Sequence, residues 1–66
     1  MPKNTFTGKD LTVLQELMTN EMLLHKKCSA YASQATDENL RKVLTSHADA
    51  HKKRFDALFA FLGQQA

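Results

Sequence analysis

Sixty-six residues make one domain at most, near the size at which a single apolar core becomes marginal and a partner chain, a metal or disulfides support it. The lone cysteine, Cys28, cannot form an internal disulfide, so self-association or a metal is the expected support. A net charge of +2, signs that alternate along the chain, and aromatic residues at 8% provide no basic, aromatic-interleaved surface, and nucleic acid is not an expected partner.

The opening MPKNTFTGKD lacks the apolar centre of a secretory signal, and no apolar run approaches the ~20 residues of a bilayer span. The chain is therefore expected to be cytoplasmic and to have no membrane partner. An unpaired Cys28 is compatible with a reducing compartment.

Residues 1–7 read as a flexible tail. A first helix is expected over about 10–34. Its apolar residues recur at Leu11, Leu14, Leu17 or Met18, Leu24, Cys28, Tyr31 or Ala32, and Ala35, which is the spacing of an amphipathic helix. Thr7 or Asp10 supplies a side-chain oxygen for its first orphaned amides, and Phe6 stands where a hydrophobic staple would fold back.

The segment QATDEN interrupts the pattern. Thr36 or Asp37 suits the N-cap of a second helix, and Asp37 and Glu38 place negative charge at its positive dipole end. That helix is expected over about 37–62. Its stripe runs through Leu40, Val43, Leu44, His47, His51, Phe55, Leu58, Phe59 and Leu62, and Gly63 is the expected stop.

Between Lys9 and Leu62 there is no proline or glycine and no strand-like alternation. The fold class is all-α: one antiparallel two-helix hairpin spanning residues 1–66, with helices of roughly 24 residues, on the order of 36 Å long. Apolar residues crowd the start of the first helix and the end of the second, so both rich ends fall at the same end of the hairpin. A lone hairpin leaves the outer halves of its stripes wet. Homodimerisation into a four-helix bundle is the simplest closed solution.

A turn centred between Asp37 and Glu38 sets Cys28 beside His47, Leu24 beside His51 and Glu21 beside Arg54. Glu21, His25, Cys28, His47 and His51 then gather near the middle of the hairpin. Zinc and iron sites take three or more imidazole, carboxylate or thiolate ligands at roughly 2.0–2.3 Å. The candidate metal ligands are therefore Glu21, His47 and His51, with His25 and Cys28 as additional donors. The competing reading has each of these groups hydrogen-bonded within the bundle, Glu21 paired with Arg54, and Cys28 a small apolar residue; on this reading there is no cofactor. No catalytic residue is expected, since Cys28 sits at no helix N-terminus and has no orienting pair beyond His47.

The stretch from TNEMLLHKKC to FLGQ resembles the spore coat protein F family of the ferritin-like superfamily, most closely in QATDENLRKVL with Ala35, the polar turn, Leu40, Arg41 and Leu44. The resemblance covers residues ~10 to 64. It implies a ferritin-like four-helix bundle, here completed by two copies, and a non-enzymatic structural or protein-interaction role in a spore coat, with other coat or assembly proteins as partners. Ferritin-like metal centres draw a Glu from one helix and a Glu-x-x-His from the next. The resemblance lays the first on Glu21 but the second pair on His51 and Arg54, and a guanidinium cannot coordinate a cation. The alternative function is a metal-binding module on a Glu/His cluster in the bundle core.

Overall fold

The computed structural model describes residues 6–65 as two helices, α1 (Gly8–Gln34) and α2 (Glu38–Gln65), packed against each other as an antiparallel hairpin. Most of the expected flexible tail, residues 1–5, lies outside the described residues. Thr7 is not tail but cap. Its hydroxyl accepts from the Asp10 amide at 3.0 Å, and the Asp10 carboxylate accepts from the Thr7 amide at 3.0 Å. This reciprocal pair satisfies two amides that the first turn would otherwise leave bare. Phe6 reaches Phe61 of α2, with ring centroids 5.7 Å apart, beside Val13 and Leu14 of α1.

α1 ends where Ala35 turns to extended backbone (ψ 132°), its amide still bonded to the Tyr31 carbonyl at 2.9 Å. Asp37 caps α2, accepting from the Leu40 amide at 2.8 Å. Arg41 reaches back across the turn to the Ala35 carbonyl at 2.8 Å. Gly63 does not stop α2, which continues to Gln65. No residue among those described has a positive φ, so Gly63 is not used as a left-handed cap.

The seam between the helices follows an alternating 4–3 spacing. The seam positions are Leu14, Met18, Glu21, His25, Cys28 and Ala32 of α1 with Ala35 at its C-cap, and Leu44, Ala48, His51, Phe55, Leu58 and Leu62 of α2; Met22 and Ala50 are half-buried beside it. The spacing is the repeat of two helices supercoiling about each other. Where the first stripe left a choice, Met18 and Ala32 take the seam, while Leu17 and Tyr31 stay 45% and 55% exposed.

The shape is thin: the Cα atoms span 53 × 20 × 11 Å. Only Ala32 and Ala48 are buried among the described residues, and ten large apolar side chains are exposed. Seven of the ten, among them Leu17, Leu24, Tyr31 and Phe61, fall at positions flanking the seam on one side. Steps of seven residues return to within ~20° of the same direction, and in an antiparallel pair equivalent flanks meet on one side. Val13 and Phe61 accordingly line one depression with Phe6. The opposite side is largely polar near the turn, where Ser29, Ser33, Thr45 and Asp49 gather.

Candidate functional site

The polar residues of the seam cluster midway along the hairpin. Glu21 follows Met18 by three residues and precedes His25 by four, so α1 presents it inward; α2 presents His51 by the same spacing from Ala48 and Phe55. The two meet with His51 Nδ1 2.6 Å from Glu21 Oε1. Their side chains are only 15% and 20% exposed, so the contact is sheltered from competing water. A carboxylate can only accept, which places the proton on Nδ1 and leaves the Nε2 lone pair free in a neutral ring. Arg54, one turn beyond His51, brings NH1 to 3.9 Å from Glu21 Oε1 and 3.3 Å from His51 Nδ1. With the Nδ1 proton directed at Glu21, the shorter approach is a packing contact and the guanidinium acts on the carboxylate as a nearby, 59% exposed charge.

One turn closer to the loop, His25 Nδ1 lies 2.8 Å from the Ala48 carbonyl. A carbonyl also only accepts, so His25 carries its proton on Nδ1 as well. This bond crosses the seam to backbone, and it is open because residue 48 is alanine: a larger side chain there would hold the helices apart. Cys28 is half-buried and free.

The sequence-predicted set is only partly assembled. Glu21 and His51 meet; His25 stands apart on its own acceptor; His47 is exposed and outside the seam. The placement of His47 beside Cys28 is corrected by the register. His25 is level with Ala48, and Glu21 with His51, so level residues have numbers summing to about 73 rather than 75. The phase of α2, sheltered at Leu44, Ala48 and His51, puts Ala48 in the seam and His47 on its flank. Glu21 is near Arg54, as expected, but His51 is its closer partner.

Imidazoles anchored through Nδ1–H, with Nε2 free, have the orientation that outer-shell bonds give to metal ligands. A site needs three or more donors, however, and among the described residues no group of three His, Cys, Asp or Glu could hold a metal. Of Glu21, His47 and His51, the structure brings Glu21 and His51 together and leaves His47 outside the seam. Arg54 sets a positive charge 3.9 Å from the Glu21 carboxylate, on the Nδ1 side of His51 rather than beside its free Nε2.

An open apolar trough of about 610 Å³ runs along the tail half of the hairpin, lined by Leu11, Met18, Met22, Phe55 and Leu62, with Lys26 at its edge. Sequence reasoning located the apolar ends but not this trough, which exists because Met22 and Leu23 lie beside the seam rather than in it. No helix among the described residues is long and apolar enough to cross a membrane. No family model matches the chain, and neither a curated protein nor a solved structure is similar to it.

Proposed function

We propose that this chain is a non-enzymatic interaction hairpin whose partner is a second copy of itself, the two closing into a four-helix bundle with a structural role. One observation carries the reading: among the described residues Ala32 and Ala48 are the only buried apolar ones, while large side chains from Leu24 at 41% to Phe59 at 63% stand in solvent. Two buried alanines cannot offset the conformational entropy of ordering two helices. Burial against another copy supplies what the single chain lacks. The seam's polar groups are bonded to one another and to backbone, which supports a structural use over a catalytic one. A role in a spore coat, with other coat proteins as further partners, rests on the resemblance of residues ~10 to 64, which is closest in the turn segment.

Sedimentation at micromolar concentration tests the reading. A species of twice 7.5 kDa, with an unfolding midpoint that rises with protein concentration, is expected. A folded monomer whose midpoint ignores concentration would overturn it.

The Glu21–His51 contact also favours a second reading, a metal-binding module in which the free Nε2 of His51 is one donor and further donors come from another copy. Metal content of the chain purified without chelators decides between them; a stoichiometric ion that holds the dimer together would replace the first reading by the second.

A further inference from the structure

We infer that the open trough of the tail half binds a free long-chain carboxylate, its head at Lys26 and its hydrocarbon chain running toward Leu11 and Leu62. The trough lies on the side of the seam away from Leu17, Leu24 and Tyr31, so a second copy seated on that apolar side leaves it open. The site and self-association therefore stand or fall separately.

The volume, about 610 Å³, is within the ~300–1,000 Å³ of small-molecule sites. From Leu11 to Lys26 the trough runs about 22 Å at ~1.5 Å per residue, a long and narrow space. Its floor is apolar: Leu14, Met18, Phe55 and Leu62 come from the seam, and the unbranched side chains of Met18 and Met22 adapt to the outline of an occupant. Its rims are polar. Gln15 and Thr19 border it on α1, and on α2 Lys52 reaches over Phe55, its Nζ 6.0 Å from the ring centroid, while bonded to Asp56 at 2.8 Å. A third helix, about 10–12 Å across with its side chains, would press apolar residues onto both polar rims. A single hydrocarbon chain lies between them.

Charge stands at one end only. Lys26 is the one charged residue lining the trough among the described residues, and it takes part in none of the ion pairs found among them. Lys52, across on α2, is already neutralised by Asp56. Away from Lys26 the apolar surface widens, because Phe59 stacks beside Phe55 with ring centroids 6.4 Å apart. An ammonium at one end and hydrocarbon at the other match an amphiphile with an anionic head. An uncharged ligand gains nothing from Lys26, and a cationic one is repelled by it.

Calorimetric titration of the full chain with sodium dodecanoate, kept below its micellar concentration, tests the site. Saturable binding is expected, and each CH₂ added to the chain should strengthen it by up to about fourfold, the worth of a buried CH₂. Lys26→Gln should weaken it about threefold to fivefold, the worth of one partly exposed ion pair. Lys27→Gln should leave it unchanged, because the next residue points about 100° away and Lys27 lines no part of the trough. Equal losses in the two variants would reveal attraction to positive charge in general and overturn the site. So would dodecyltrimethylammonium binding as tightly as dodecanoate, or no saturable binding at all. Binding to phosphatidylglycerol vesicles with none to free dodecanoate would overturn it in favour of a membrane surface.

Discussion

The two long sides of this hairpin have the same backbone, the same length and nearly the same exposure, yet they are chemically opposite. One carries Leu17, Leu24, Tyr31, Leu40, Val43 and Phe61 in open solvent. The other carries serine, threonine and aspartate near the turn and the Lys52–Asp56 pair at 2.8 Å midway along, and it opens into the apolar trough in its tail half. A solitary hairpin has no physical reason to sort its outward residues this way, because water meets both sides equally. The asymmetry marks which side is meant to lose its water.

Paired substitutions on the two sides break or sharpen that comparison. Leu24→Glu places a charge at the centre of the apolar side in each copy. It should weaken association 100-fold or more, on the order of 3 kcal/mol, because a charge left unpaired in an interface is strongly disfavoured. Thr45→Glu on the polar side should change it by less than about 0.5 kcal/mol. Sedimentation of the two variants side by side is the measurement; equal effects would erase the distinction between the sides.

Phe55→Ala acts on the seam that both sides share. It should cost about 2–5 kcal/mol in chemical unfolding, the range for truncating a large packed side chain. Phe61→Ala, on the flank against Phe6, should cost less. The reverse order would mean that the flank, and not the seam, holds the hairpin together.

His51→Gln keeps a group that can donate to Glu21, so it should destabilise by only about 1 kcal/mol. The variant should dimerise like the parent and respond to zinc or chelator no differently. Dissociation of the parent by chelator, with a variant that never assembles, would instead support the metal reading.

Gly63→Ala should give the smallest change and the opposite sign. A Cβ there meets nothing within 4 Å, and the position is helical, so stability should rise by about 0.5–1 kcal/mol. A loss measured by thermal unfolding would indicate that α2 does end at Gly63 in solution.

The hairpin itself was legible because its signals are local. Thr7 and Asp37 have side chains that bond amides three residues on, and the 4–3 spacing of leucines and phenylalanines marks helix in any context. The register was less legible. A hydrophobic stripe is read by its largest members, but the closest contact here is made by Ala48, whose value is its small size. Extending the four-residue spacing of His51 and Phe55 back by one more step therefore placed His47, rather than Ala48, in the seam. Gly63 was misread because a stop needs a backbone excursion to positive φ, which glycine permits without compelling. The Glu21–His51 pair was half visible: both residues were placed inward, but which partner Glu21 would take depended on a register shift of about two residues.

The turn has a further consequence. Ala35, Thr36 and Asp37 reverse the chain without a glycine and without a positive φ, so no residue in it is barred from helical geometry. What keeps the chain folded back is the Asp37 cap, the Arg41 clamp on the Ala35 carbonyl, and the seam beyond. Loosening the two local bonds opens a route to a straightened chain, in which α1 and α2 run on as one rod and two rods exchange halves to rebuild the same contacts. The hinge that makes the hairpin is then also the element through which the chain could swap domains, and small-angle scattering of an Asp37→Ala/Arg41→Ala variant would register the change as a molecule nearly twice as long.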